Sequence, residues 1–490
     1  MAPLLCVTVT APTTAELRRR RDEVAEADLI ELRLDSVSDP DVRGALQGRR
    51  QAVIVTCRPA WEGGRFDGSE DERRRLLHEA IACGAEYVDL EWRARFDELI
   101  AERAGRGIVL SSHEFERMPA DLHDRVQAMR ATGAEVIKVA AAANRLSDCL
   151  PLLSVAEAAR GDTGLVLIAM GEHGLASRVL AARFGSAWTY AGAVGDVGQI
   201  TPAALLDDYG FRRVTRSTGV FGVVGAPVSH SVSPAMHNAA FREAHFDGVY
   251  LPLPAADVAD FVAFARALNL KGASVTIPFK VPLCDHVDDI QPIARRIGAI
   301  NTIRCVNGRW IGDNTDVAGF LQPLHDRGIP LKGTRATILG AGGSARAVAV
   351  ALASCRAEVS VCARHPAAAQ AVARLANGRV GTWPPEARSW DLLVNCTPVG
   401  MRPHGTESPL AATALTGRVV YDLVYNPADT RLIRDAAAAG CQTIGGLDML
   451  VAQAQEQFEW WTGARPAAGV MRDAAVKRLS EFAADEDHVV

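Results

Sequence analysis

Lysine is almost missing from this chain: of 53 basic residues only five are lysines, at Lys138, Lys271, Lys280, Lys332 and Lys477. Arginine evidently serves wherever a positive charge is enough. A guanidinium neither deprotonates nor forms an imine, whereas an amine does both, so a lysine kept inside an apolar segment is a candidate for chemistry. The ten cysteines contain no CxxC pair, so neither a zinc site nor a disulfide framework is suggested and a reducing cytoplasm is the expected setting. A surplus of basic charge is lacking too. The net charge of -5 leaves no footprint for nucleic acid or an anionic membrane. No apolar run is long enough to span a bilayer, and the apolar segment Leu4–Val9 lacks the charged leader of a signal peptide.

What is present is the composition of a globular protein with substantial cores, 48% hydrophobic and 23% charged over 490 residues, enough for two to four domains. Short β-branched runs begin near Leu4, Leu29, Ala52, Tyr87, Gly107, Glu135, Gly164 and Ser186, alternating with Ala/Arg/Glu-rich helical segments. Eight such strands in about 200 residues argue for a (β/α)8 TIM barrel, whose active site lies at the carboxyl ends of the strands. Polar residues gather there: Glu31-Leu32-Arg33, Thr56-Cys57-Arg58, Asp89-Leu90-Glu91, Ser111-Ser112-His113 and, inside the sixth run, Lys138. The polar stretch Arg212–Thr218 reads as a linker. A second α/β unit follows, with strand-like runs at Gly219, Ala273–Ile277, Ala299–Ile303, Ala336, Glu358, Leu392 and Val419, the later ones forming a Rossmann-type, mostly parallel sheet. The last 40 or so residues read as helices that pack back on the middle domain.

Each candidate residue has a chemical and a plain reading. Lys138 is a Schiff-base nucleophile if it sits in a buried apolar site that favours the neutral amine, or a lysine snorkelling from a strand end. His113 is a general acid/base or a packed histidine. Glu31, Arg33, Arg58 and Arg178 suit an anionic, hydroxyl-rich ligand, or are structural ion pairs. In the second unit, Ser231 and Ser233 offer paired hydroxyls to an anion, while Ser233 before Pro234 also reads as a helix cap. Lys280 and Asp316 bring an amine and a carboxylate that can shuttle a proton, or form an ion pair. The loop Gly340-Ala341-Gly342-Gly343-Ser344-Ala345 follows a strand and opens a helix, as a pyrophosphate site does. At the end of the next strand stands Ala363-Arg364-His365 in place of an acid, which favours the 2′-phosphate of NADP.

The segments ELRLD, TCRPxxEGG, YVDLE, SSHEF, EVIKVA, MGEHGLASR and GQIT resemble, in order and spacing, those of type I 3-dehydroquinate dehydratases over residues 4–202. The resemblance implies an imine on Lys138, His113 as acid/base, and Glu62 as the acid that orients and charges the histidine. It also implies substrate contacts from Glu31, Arg33, Arg58, Arg178 and Gln199. One departure is Gly195-Asp196-Val197-Gly198-Gln199, where that family usually reads S-A-P-G-Q. From Gly219 to Gly463 the strings GAPVSHSVSPAMHN, VTIPFK, GAIN, GDNTD, NCTPVGM, YDLVYNP and GGLDMLVAQ resemble shikimate dehydrogenases. This implies Lys280 and Asp316 as the catalytic pair, Ser231, Ser233 and Tyr425 at the substrate carboxylate, and Thr276, Asn301 and Gln453 at its hydroxyls. It further implies Thr397 and Gly446 beside NADP, with Arg364 as the basic residue where that family usually has Asn-Arg-Thr.

The expectation is therefore an α/β chain of three domains. Residues 1–213 form the barrel, 219–325 the substrate domain (completed by helices in 446–490), and 326–445 the NADP-binding Rossmann-like domain. The implied function is dehydration of 3-dehydroquinate to 3-dehydroshikimate, then reduction to shikimate with NADPH and no metal. Its partners are these small molecules, and its oligomeric state, monomer or dimer, stays open. Rival readings are quinate oxidation by the second unit and a ligand sensor without turnover; the retained Lys138, His113, Lys280 and Asp316 argue against the sensor.

Overall fold

A computed structural model of the chain describes residues 2–192 and 198–487, with side chains to 484; the Gly195–Val197 departure lies outside the described residues. The chain divides into two compact units, Met1–Thr218 with Pro254–Ala267, and Gly219–Leu253 with Leu268–Val490.

In the first unit eight parallel strands run β1 (Leu4–Val9), β2 (Leu29–Arg33), β3 (Ala52–Thr56), β4 (Tyr87–Glu91), β5 (Ile108–Glu114), β6 (Val136–Ala142), β7 (Gly164–Met170) and β8 (Trp188–Ala191). They form one sheet in the order β7-β6-β5-β4-β3-β2-β1-β8, nearly closed by a bridge between Leu165 and Ser186. Each strand starts within two residues of its sequence-derived position. Alternation along a strand sends every second side chain inward. The lowest inward layers are apolar, built from Cys6, Leu29, Ile54, Val109, Val136, Val166 and Trp188. One step further along, the same faces carry Thr8, Glu31, Thr56, Asp89, Ser111 and Lys138, all buried. The interior thus changes from oil to charge within a single layer. The helix Glu70–Ala82 begins at a capping box: Glu72 N donates to Ser69 Oγ at 3.2 Å and Ser69 N to Glu72 Oε2 at 3.0 Å. Fixed in this way, it directs Arg73 into the barrel wall, where the residue is 0% exposed.

The second unit holds two sheets. The first is mixed, made of β9 (Gly219–Gly225), β10 (Gly248–Pro254), β11 (Gly272–Val275), β12 (Asp289–Ile290), β13 (Thr302–Val306) and β14 (Arg309–Asp313) in the order β10-β9-β11-β13-β14-β12. The second is parallel: β15 (Arg335–Leu339), β16 (Glu358–Cys362), β17 (Arg379–Val380), β18 (Leu392–Asn395), β19 (Val419–Asp422) and β20 (Gln442–Ile444), ordered β17-β16-β15-β18-β19-β20. Its core packs Ile338, Val361 and Val394 against Phe320, Val348 and Tyr421. The closing helices Gly446–Thr462 and Val470–Asp487 return to the first sheet, where Phe458, Met471 and Ala475 join Phe221, Val223 and Met236.

Two local readings change. Strand character was expected over 273–277 and 299–303, but the strands run Gly272–Val275 and Thr302–Val306, so Thr276 and Asn301 stand just off the sheet. Ser233 does not cap its helix. It is the first helical residue of Ser233–Glu243, and its N–H donates instead to Ser231 Oγ at 3.2 Å. Among the described residues no helix is long and apolar enough to cross a membrane.

Candidate active sites

The first site occupies the charged layer of the barrel. Lys138, 4% exposed, donates to Glu31 Oε1 at 3.3 Å and Asp89 Oδ2 at 3.1 Å, and its Nζ lies 4.3 Å from the centre of the Tyr190 ring. The apolar surroundings expected for this lysine are thus corrected: it stands between two carboxylates, because β2 and β4 turn Glu31 and Asp89 inward at the same level. Further bonds hold each carboxylate. Glu31 accepts from Thr8 Oγ1 (2.9 Å) and Thr56 Oγ1 (3.1 Å), and Asp89 from Ser111 Oγ (2.6 Å) and Arg58 Nη2 (2.9 Å). Burial opposes ionisation of both, yet Lys138 and Arg33 hold Glu31, and Arg58 and Lys138 hold Asp89, below the usual carboxylate range.

Arg58, 3% exposed, is spent on this network. It also donates to Glu91 Oε1 and Ser111 Oγ, each at 2.8 Å. Behind it Arg73 pairs with Glu91 and lies over the Phe96 ring. Arg33 makes a fork with Asp35, both bonds 2.8 Å. Arg178 is buried and donates to Tyr190 O at 3.4 Å, and burial lowers its pKa to about 10. Gln199 Nε2 reaches Thr8 Oγ1 at 3.4 Å.

At the carboxyl end of β5, Glu62 Oε1 accepts both from the His113 backbone N–H (3.0 Å) and from Nδ1 (2.9 Å), which fixes the ring. The register pairs Ser111 with Lys138, so His113 is one inward step beyond the amine. Burial, then the Arg58 and Lys138 charges, push the His113 pKa well down, and burial raises Glu62 to about 7. The carboxylate orients the histidine as expected. Burial works against charging it, because the low-dielectric site penalises the ion pair. Phe115, stacked on His113 at 6.3 Å, covers the ring.

The second site draws its residues from distant segments. Lys280 forms an ion pair with Asp316 Oδ2, and Asn301 Nδ2 donates to Asp316 Oδ1 (2.7 Å), Thr315 Oγ1 (3.0 Å) and Gln453 Oε1 (3.3 Å). Thr276 flanks Lys280 at the end of β11, its N–H bonded to Val224 O. Ser231 hydrogen-bonds the hydroxyl of the partly buried Tyr425. Gly343 brings the cofactor-type loop to the same place, since a Cβ there would stand 3.1 Å from Lys280 Cδ.

A dinucleotide fits this loop. Gly340 has φ +104, and a side chain on it would press on Cys396 O at 3.1 Å. Gly342 caps the helix Gly343–Ser354 without any side-chain bond, and nothing lies within 4 Å of where its Cβ would be, so the helix N-terminus is open to a phosphate. Ala341, Ser344 and Ala345 complete the turn. Thr397 is held by Asn395 Oδ1 (2.7 Å to its hydroxyl), Arg364 projects exposed beyond β16, and Gly446 starts its helix packed on the Leu423 and Val424 carbonyls.

Sequence reasoning left several partners unassigned. Asp89, Glu91 and Ser111 were visible at strand ends, with inward parity as the signal. Arg73 was hidden in a charged run and Gln457 in a polar one, Tyr250 and Ser274 were polar groups in apolar strands, and Asp422 stood unremarked within YDLVYNP. Asp422, 0% exposed, accepts from Asn395 Nδ2 (2.9 Å), Val424 N (3.1 Å) and Thr430 Oγ1 (2.6 Å), tying the Thr397 loop to the Tyr425 loop.

The same two-part pattern emerges from known proteins. Residues 5–216 match the family of type I 3-dehydroquinases, 223–303 the shikimate dehydrogenase substrate binding domain, and 446–476 the shikimate 5′-dehydrogenase C-terminal domain. The chain is similar to the chloroplastic bifunctional 3-dehydroquinate dehydratase/shikimate dehydrogenase of Arabidopsis thaliana, 34% identical over 94% of this chain and 82% of that one. A shikimate dehydrogenase (NADP(+)) of Symbiobacterium thermophilum is 41% identical over 55% of this chain and 97% of its own. Among solved structures, a shikimate dehydrogenase in complex with NADP+ has TM-score 0.51 and 34% identity, covering 54% of this chain and 96% of that one. The shikimate dehydrogenase of Aquifex aeolicus has TM-score 0.50 and 31% identity, covering 53% and 98%. The chain belongs to the family of bifunctional 3-dehydroquinate dehydratase/shikimate dehydrogenases.

Proposed function

We propose that the barrel dehydrates 3-dehydroquinate through an imine on Lys138, and that the second unit reduces the resulting 3-dehydroshikimate to shikimate with NADPH. The observation that carries the reading is the placement of a buried amine between two carboxylates, one inward step from a histidine held by Glu62.

Lys138 adds to the substrate ketone and the adduct loses water to give an iminium. The iminium draws electrons from the neighbouring carbon, whose proton passes to the His113–Glu62 dyad. The same dyad returns that proton to the departing hydroxyl, and hydrolysis of the iminium frees the enone and the amine. Over the cycle the substrate loses one water. Arg178 and Gln199 at the rim suit the carboxylate and hydroxyls, whereas Arg58 acts by fixing Asp89 and Arg33 is braced by Asp35.

In the second unit NADPH, when bound, supplies the hydride. Lys280, paired with Asp316, gives the proton that the ketone oxygen needs as hydride arrives, and Asn301, Gln453 and Thr276 hold the ring hydroxyls. Ser231, Ser233 and Tyr425 suit the carboxylate. Gly340–Ala345, Thr397 and Gly446 line the dinucleotide path, and Arg364 suits the 2′-phosphate. The cysteines, all unpaired, agree with a cytoplasmic setting.

Purified protein given 3-dehydroquinate and NADPH is expected to consume NADPH and form shikimate. Consumption with 3-dehydroshikimate alone would remove the barrel's role, and none with either would remove both.

A further inference from the structure

A buried hydrogen-bond chain runs beneath the second site, from its carboxylate end to its redox end. Tyr250, 0% exposed, donates from Oη to Ser274 Oγ at 2.6 Å, and the Ser233 hydroxyl reaches the same phenol oxygen. Ser274 donates in turn to Gln457 Oε1. Gln457 Nε2 then donates to Gln453 Oε1 (2.8 Å) and Asn301 O (3.2 Å). Gln453 Oε1 also receives Asn301 Nδ2 (3.3 Å), which further donates to Thr315 Oγ1 and Asp316 Oδ1, leaving Oδ2 for Lys280.

The direction of every link is settled by groups that have no choice. The Asn301 carbonyl only accepts, so the end of Gln457 that faces it is the NH2. The Leu450 carbonyl accepts Gln453 Nε2 at 2.8 Å, which turns Gln453 Oε1 toward Asn301. The Thr315 N–H donates to Asn301 Oδ1 at 2.8 Å, which turns Asn301 Nδ2 toward Asp316. The Ser274 hydroxyl supplies the one donor that keeps the Gln457 carbonyl satisfied at 1% exposure.

We propose that Tyr250 and Ser274 are positioning residues for the redox step, fixing Gln457 and, through its NH2 group, the places of Gln453 Oε1 and Asn301. Neither lies among the residues read as touching substrate. Without the Ser274 donor the Gln457 carbonyl is left buried and bare while its NH2 is still claimed by Gln453 Oε1 and the Asn301 carbonyl, so the amide is drawn off its place toward another donor. Its bonds to Gln453 Oε1 and the Asn301 carbonyl lengthen, and the Gln453 oxygen loses the brace that holds it beside Asn301 Nδ2. Loss of the Tyr250 hydroxyl frees Ser274 to turn away, with the same result one link later. The tyrosine ring itself keeps its place, stacked on His237 at 4.5 Å.

The inference rests on reading the second unit as the shikimate dehydrogenase, and the test separates the two. In the full chain, Tyr250→Phe and Ser274→Ala are compared with the parent for shikimate oxidation by NADP+, KM for NADP+, thermal midpoint and 3-dehydroquinate dehydration. Each variant is expected to lose kcat for shikimate about tenfold, with KM for NADP+ and the dehydration rate within about twofold of the parent. The double variant is expected to be no worse than the poorer single one, because both cut the same chain. Redox kcat within twofold of the parent in both singles overturns the assignment. So does a loss that tracks a lowered midpoint and weakened NADP+ binding, or one that multiplies in the double variant. A parent that leaves shikimate unoxidised overturns the functional reading, and the positioning role falls with it.

Discussion

The two sites obtain a usable lysine by opposite means. Lys138 is enclosed by a ring of strands and lies between fixed carboxylates, and every neighbour that governs it comes from the barrel's own interior layer. Lys280 lies in the turn after a short strand, 12% of its side chain exposed, and its partner Asp316 is held by Asn301, which also bonds Gln453, 152 residues further on. In the barrel, burial magnifies charge, and the chemistry is set by which charges are admitted. In the second unit, hydrogen-bond direction does the setting, through a run of neutral amides and hydroxyls. A closed barrel tolerates a charged interior because eight strands hold the charges in register. An open α/β site must leave room for a cofactor, and it gains precision from amide polarity instead.

Substitutions sharpen this contrast. Lys138→Ala is expected to reduce dehydration to below about one ten-thousandth of the parent rate while leaving shikimate oxidation unchanged, as read in separate assays of the same preparation. Dehydration that survives would end the imine role. For Lys280→Ala the expected loss is roughly 10³-fold and confined to the redox reaction; an unaffected rate would make the Lys280–Asp316 pair structural.

Glu62→Gln tests the part that burial plays. Proton abstraction needs the dyad deprotonated, and Glu62 titrates at about 7, so kcat/KM for 3-dehydroquinate in the parent should fall as pH drops through about 7. The variant should be about 100-fold slower. Its acid limb should move to lower pH, because the remaining group, His113, is held well below the ordinary histidine range. A limb left near 7 would assign that titration elsewhere. The smallest effect is expected from Arg364→Ala: about tenfold weaker NADPH with little change for NADH, measured as KM for each. Equal losses would remove the phosphate contact.

Much of the fold was legible because strand parity and turn residues act locally. The eight barrel strands start where the apolar runs start, and the loop 340–343 opens the helix it was expected to open. Lys138 was conspicuous because lysine is rare here and because its run is otherwise apolar. Its carboxylate partners were another matter. Asp89 was seen at a strand end, but its contact with Lys138 exists only once β4, β5 and β6 stand side by side, and alternation along one strand says nothing about the next but one. Ser274 and Gln457, 183 residues apart, each looked like an ordinary polar residue. Only packing reveals that each is the other's partner. The Glu62–His113 pair shows a third limit, since the resemblance implies the partnership while the sense of its proton affinity depends on burial.

The charged layer of the barrel also bears on what Lys138 becomes during a turnover. Three carboxylates, of Glu31, Asp89 and Glu91, face three cations, Lys138, Arg58 and Arg73. Among these six the charges balance while a positive charge stays at the Lys138 nitrogen, and leaving buried carboxylates uncompensated costs about 3–5 kcal/mol. A protonated imine keeps that charge where the ammonium had it, and a neutral imine does not. The cage therefore fits the covalent adduct in its electron-withdrawing form as well as it fits the resting ammonium, so the fold supplies the iminium with counter-ions before any substrate has entered.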